Sequence, residues 1–370
     1  MSETSAHSPT PTPGLLGLFQ KRFEGDDALL ALAGLRFRQA GLGTELYART
    51  PEDLEWQWPY RPTPEGLATV HLDRNLNLLE ERSRNLIEEF AARCRNRVFG
   101  MIVHDQRELQ SQPEAYLAAV QRVAAALDKI EGAPRLYIEY AVGLEPAEFA
   151  AFFDRTRELE SVSACIDVGH VGIREVRSTY AREHPGDDVC GLRFDDPLVV
   201  PLADEIQEAV RSCLPVVLEL IRTLARHRKP LHFHLHDGHP LSKYSPYSVS
   251  DHLSFLAQIP VPFEYDGRYS LPTLYGPEGL FQIVTTALAA IEPGSLSFNL
   301  EIHPTEGRLA LRDAAHLFQH WQVRSNAERM NYWLSILAEN RQLLTAGLRT
   351  NSSHGNSGGK LLPVQSHPQR

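Results

Sequence analysis

The sequence predicts an α/β fold, a single (β/α)₈ barrel. Three observations point to it. Short apolar runs alternate with helix-period patterns along most of the 370 residues, and eight such runs are present. No Gly-x-Gly-x-x-Gly turn or phosphate-binding loop opens the alternation, as a doubly wound open sheet would usually require. The later runs end in Asp, Glu or His, at the edge where parallel barrels build their sites.

The strands are expected at 15–20, 43–48, 68–72, 98–104, 135–140, 162–168, 231–236 and 296–302. Helices are expected at 26–39, 76–96, 114–130, 145–158, 203–227 and 277–291. In the second of these, Asn77, Leu78 and Leu79 open a stripe that continues through Leu86 and Phe90. Residues 169–202 and 237–276, after the sixth and seventh strands, read as long irregular connections, and long segments at strand C-termini are commonly functional. An extra C-terminal helix is expected at 326–347, with Met330, Trp333, Leu334, Leu337 and Leu344 among its apolar residues. It would close the bottom or side of the barrel or serve as a homo-oligomer contact. The domain reading is a disordered tail at 1–13, a barrel with its terminal helix at 14–348, and a second disordered tail at 349–370.

Composition narrows the function. At 42% hydrophobic and 23% charged residues the chain reads as a soluble globular protein, and a barrel needs only about 250 residues. Cys94, Cys165, Cys190 and Cys213 form no Cys-x-x-Cys pair, so reduced thiols and a cytoplasmic location are expected. The first residues lack the basic start and apolar run of a signal peptide, and no stretch of about 18 apolar residues suggests a membrane span. Net charge is −10, and the basic runs at 93–97 and 226–229 fall at helix ends before strands, where they complement the helix dipole. Nucleic acid is therefore not the expected partner; a small-molecule substrate is.

Strands of a parallel barrel are buried on both faces and should be apolar inside. Here the third ends at His71 and the fourth at His104-Asp105. The fifth carries Glu139, the sixth Asp167 followed by His170, the seventh His232, His234 and His236, and the eighth Glu301 followed by His303. Taken singly, a buried carboxylate is more often a structural hydrogen-bonder. Several converging would cost several kcal/mol or force protonation unless a cation joined them. A mixed carboxylate and imidazole set suits a divalent Mn, Zn, Co, Mg or Fe ion better than Ca.

Glu139, the run Cys165-Ile166-Asp167-Val168-Gly169-His170, the run His234-Leu235-His236-Asp237, and Leu300-Glu301 resemble the xylose isomerase-like TIM-barrel superfamily over residues 15–305. That superfamily includes sugar isomerases and epimerases, inosose dehydratases, hydroxypyruvate isomerases and endonuclease IV. The epimerase branch implies Glu139, Asp167, His234 and Glu301 as ligands of one metal. It implies Glu139 and Glu301 as the acid/base pair beside a metal-polarised carbonyl, and His170 as a substrate contact. The endonuclease IV branch implies further metals, for which His71 and His104 match. Asp251-His252 departs from that branch's Asp-x-His spacing, and the basic and aromatic DNA-binding loops are missing. His71, His104, His170, His236, Asp237, Asp251 and His252 are thus the additional metal or substrate candidates. His232 and His236 also read as a hydrogen-bond donor behind a ligand and a satisfied core histidine. Arg268, Tyr269 and Tyr275 read as a lid, an anion contact or plain surface. The expected activity is a metal-dependent isomerase, epimerase or dehydratase of a small sugar, polyol or sugar acid. The alternatives are an endonuclease IV-like phosphodiesterase acting on abasic DNA and a non-catalytic metal-binding barrel.

Overall fold

The computed structural model describes residues 13–19, 27–60, 67–192, 197–238, 240–241, 264–265, 269–270, 273–301, 341–342 and 344–345. Eight parallel strands close into a barrel: β1 (Gly14–Phe19), β2 (Gly43–Tyr47), β3 (Ala68–His71), β4 (Gly100–His104), β5 (Arg135–Glu139), β6 (Val162–Asp167), β7 (Leu231–Leu235) and, last in the chain, β10 (Leu296–Leu300), which pairs with both β1 and β7. Each lies within two residues of its expected position. Between β7 and β10 the chain adds an antiparallel pair, β8 (Glu264–Tyr265) and β9 (Tyr269–Ser270), inside the segment expected to be irregular.

Strand alternation divides the interior chemistry. Outward residues such as Val70, Met101, Ile138, Ile166, Phe233 and Phe298 pack under the helices in the main core. The helices answer with stripes at 3.6-residue spacing, such as Ile87, Phe90, Ala91 and Cys94 on α3 (Glu81–Cys94). Among the described residues inside the barrel, Ile102, Tyr137 and Cys165, with Phe99, form a small apolar cluster. Gly100 lacks a Cβ where the Tyr137 ring lies, since one there would stand 2.5 Å from Cε2. Most of the remaining described inward positions toward the strand C-termini are polar and buried, with Tyr47 and His104 partly exposed.

Helices α1 (Asp27–Ala40), α5 (Pro113–Leu127), α6 (Pro146–Arg155) and α10 (Gly276–Ala290) agree with expectation to within a few residues. Three departures have local causes. The helix expected from residue 76 begins at Glu81, because Asn77 Oδ1 accepts the Leu79 amide and holds residues 77–79 in a turn. The single helix expected at 203–227 is two, α8 (Ala203–Arg211) and α9 (Cys213–Ala225). Pro215 has no N–H for the Arg211 carbonyl, and Ser212 Oγ bonds back to Ala209 O. The connection at 169–202 opens in a sixteen-residue helix, α7 (Val168–Glu183). Two unexpected short helices are α2 (Pro51–Gln57), with a Thr50/Asp53 capping box, and α4 (Glu108–Ser111).

The expected tails at 1–13 and 349–370 lie almost wholly outside the described residues, as does most of the expected helix 326–347. Residues 341, 342, 344 and 345 are helical. Leu344 is buried in the main core, and Arg341 Nε donates to Gly41 O, just before β2. The chain therefore returns to the N-terminal face of the barrel. Among the described residues no helix is long and apolar enough to cross a membrane.

Candidate metal centre

The C-terminal ends of β5, β6, β7 and β10 bring Glu139, Asp167, His234 and Glu301 together, all at most 5% exposed. The pivot is His234. Its Nδ1 lies 3.0 Å from Glu301 Oε2, 3.4 Å from Glu139 Oε1 and 3.8 Å from Asp167 Oδ2. None of these oxygens lies in line for a hydrogen bond, so a buried ring nitrogen faces three carboxylates without one. The carboxylates and the acid-facing histidines shift each other. Burial lowers the His234 pKa, but Cys165, Glu301, Glu45 and Glu139 together raise it well above the ordinary imidazole value. Burial raises Glu139, but His104, His234 and His71 hold it well below the ordinary carboxylate range.

Asp167 is fixed by the strand-to-helix turn. As N-cap of α7 its Oδ1 accepts the His170 amide at 2.8 Å, and His236 Nε2 lies 2.9 Å from the same oxygen. His236 Nδ1 faces Asp237 O at 3.2 Å, so both ring nitrogens face acceptors. Burial lowers its pKa, yet the Asp167 carboxylate outweighs that and raises it. Gly169 is required here for space: a Cβ would stand 2.0 Å from His236 Cε1.

His71, His104 and His170 surround Glu139. His71 Nε2 lies 3.0 Å and His104 Nε2 3.6 Å from Glu139 Oε2; His170 Nδ1 lies 3.8 Å from Oε1. The other nitrogen of His71 faces Leu72 O at 2.9 Å, and Tyr47 stacks on its ring with centroids 4.7 Å apart. Burial lowers the His71 pKa, but the hydrogen bond and charge of Glu139 raise it overall; burial takes His104 down to about 4. His170 Nδ1 also contacts Tyr140 O at 3.2 Å.

Other candidates have different places. Asp237 accepts the amides of Gly238, Tyr275 and Gly276, so both its oxygens anchor the chain entering α10. The Tyr275 hydroxyl donates to Val168 O and fills the space beside Gly172, bracing α7. Asp251, His252, Arg268 and His303 lie outside the described residues, as does the Tyr269 side chain.

The sequence reading missed Glu45 on β2. It is fully buried directly behind His234, with Oε1 3.1 Å from Nε2. In sequence it sits in the alternating run Gly43-Thr44-Glu45-Leu46-Tyr47, where period two offered the only signal that it shares a face with Tyr47. Asp105 follows His104 at the end of β4 and is buried. Its Oδ1 accepts the amides of Ala141 and Val142, tying the end of β4 to the turn after Glu139.

The donor set fits a divalent cation. Carboxylate oxygens and an imidazole nitrogen within contact distance of one another match the preferences of such ions. Three overlapping trios at this mouth, His71-Glu139-His234, Glu139-Asp167-His170 and Asp167-His236-Glu301, each place donor atoms within 4.8 Å. In comparisons with known proteins, no family model and no curated protein matches the chain.

Proposed function

We propose that the chain is a metal-dependent isomerase or epimerase, or a dehydratase, of a small sugar, polyol or sugar acid. The observation that carries this reading is the position of His234 Nδ1 among Glu139, Asp167 and Glu301 at the C-terminal mouth of the barrel. The resemblance to the xylose isomerase-like superfamily supports the same four ligands. Glu139, Asp167, His234 and Glu301 would hold the ion. When bound, it would supply Lewis-acid polarisation of a substrate carbonyl, lowering the cost of removing a proton from the adjacent carbon.

The chain's own groups supply the rest. The depressed pKa of Glu139 keeps it ionised, the state a proton acceptor must start from. Glu301, whose Oε2 lies 3.0 Å from the same His234 Nδ1, would return a proton to the other face of the same carbon or its neighbour. His170, 7% exposed and 3.2 Å from Tyr140 O, would contact a substrate hydroxyl.

One feature favours a second reading, a phosphodiesterase with more than one ion. His71 and His104 converge on Glu139 Oε2, the oxygen turned away from His234. Metal analysis of purified protein separates the two. About one Mn, Co, Mg or Fe per chain supports the isomerase reading, to be followed by a sugar and keto-acid panel with Glu139→Gln and Glu301→Gln as inactive controls. Two or three Zn per chain supports the phosphodiesterase, to be followed by an abasic-site cleavage assay. No bound metal after reconstitution rejects both.

A further inference from the structure

Below the carboxylates the barrel interior holds a second buried polar layer that the proposed chemistry does not use. Its centre is Glu45. Thr69 Oγ1 donates to Glu45 Oε2 at 2.8 Å, and Asn299 Nδ2 donates to Oε1 at 2.8 Å. His232 Nε2 lies 3.1 Å from Oε2, while its Nδ1 pairs with Ser297 Oγ at 2.7 Å. The carboxylate is thereby pinned by groups from β3, β7 and β10, all buried. Its Oε1 stands 3.1 Å from His234 Nε2, on the ring edge away from Glu301, Glu139 and Asp167; as at Nδ1, the contact is close but not in line for a hydrogen bond, and a small turn of the ring would align it.

An ionised carboxylate accepts hydrogens and donates none. A neutral imidazole between two acidic surroundings can present its proton to one and its lone pair to the other. The carboxylate side that also holds a cation needs the lone pair. Thr69 Oγ1 and Asn299 Nδ2 both donate to Glu45, the pattern of partners that a carboxylate acting as acceptor takes. Its anchors leave it no route to turn away from His234.

We propose that Glu45 is the positioning residue of the centre, holding the His234 proton on Nε2 so that Nδ1 is the ligand atom. The inference rests on the metal-centre reading and extends it to a residue that makes no contact with the ion or substrate. Carboxylates behind metal-bound histidines typically change metal affinity 10–100-fold when removed. Thr69, His232 and Asn299 would act one step further back, by fixing Glu45.

The test uses the full chain, wild type and Glu45→Gln, with two readouts. One is Co²⁺ affinity by titration of its visible absorption. The other is long-range ¹⁵N–¹H correlation of labelled histidine, which reports the nitrogen that carries the His234 proton in the Zn²⁺-loaded ring. The expected result is a Co²⁺ Kd raised about 10–100-fold in Glu45→Gln and loss of the exclusive Nε2 proton, at unchanged far-ultraviolet circular dichroism. A general packing role would lower the melting temperature without moving the proton. Equal Kd and an unmoved proton in the variant overturn the proposal. Wild type that binds neither Co²⁺ nor Zn²⁺ rejects the metal centre and this proposal with it, whereas metal-loaded wild type with an unaffected Glu45→Gln rejects this proposal alone. Should Glu45→Gln fail to fold, Thr69→Val leaves the carboxylate with one anchor fewer. There a smaller rise in Kd upholds the proposal, and wild-type values for both readouts overturn it.

Discussion

His236 Nε2 lies 2.9 Å from Asp167 Oδ1, the same oxygen that caps α7 through the His170 amide. The two contacts consume one side of the carboxylate and leave Oδ2 as the oxygen on the His234 side, 3.8 Å from Nδ1. Rotation of Asp167 away from the centre would break both. His236→Phe removes the ring nitrogen, keeps an aromatic of similar width and should weaken divalent-metal affinity about 10–100-fold. Isothermal titration with Mn²⁺ measures it, and an unchanged Kd would show that the helix cap alone orients Asp167.

Gly169 gives that ring its room. Its Cβ would overlap His236 at 2.0 Å, and the ring is fully buried. Gly169→Ala is expected to destabilise the protein by about 1–3 kcal/mol through overpacking and to weaken metal binding along with it. Urea denaturation and metal titration on the same sample should both respond.

Asp105 predicts a pH dependence of stability. Burial pushes its carboxyl up to about 8, against the opposing hydrogen bonds from Val142 and Ala141, and its Oδ2 accepts no hydrogen bond among the described residues. A folded pKa above the unfolded value of about 4 means that the folded state binds the extra proton between those limits. Stability from this group is full below pH 4 and is lost as pH rises through about 8. Asp105→Asn keeps an acceptor for the two amides and cannot ionise. Its loss of stability between pH 5 and 8 should be smaller than wild type by on the order of 1–3 kcal/mol, read from paired urea curves. Parallel curves would mean that Asp105 titrates normally.

The terminal segment is part of the fold at Leu344, which is 1% exposed in the main core. Leu344→Ala should cost about 2–5 kcal/mol. A change below about 0.5 kcal/mol, the range typical of surface sites, would show that the segment contributes nothing to the core.

Metal should also stabilise the chain by mass action. At 100 times Kd, an ion bound only by the folded state adds about 2.7 kcal/mol. Thermal melts with and without Mn²⁺ should differ accordingly in wild type and not in Asp167→Asn. Equal shifts in both would place any bound ion elsewhere.

The sequence by itself determined the fold class and the candidate ligands. Alternation and helix period are local properties, so the eight strands were legible to within two residues. Glu139, Asp167, His234 and Glu301 stood out because charges at the ends of apolar runs are costly unless they serve something. The capping signal Thr50-Pro51-Glu52-Asp53 was equally local and simply went unread, whereas Pro215 and Ser212 broke a helix that its apolar stripe had made look continuous. Only the closed barrel decided which side chains meet. Glu45 sits 187 residues from His232 and 254 from Asn299, and nothing in Gly43-Thr44-Glu45 distinguishes an inward carboxylate from one on a solvated face. Strand period assigns a residue to one of two faces. Strand order and register, set by packing around the whole circle, decide which face becomes the interior and what lies opposite.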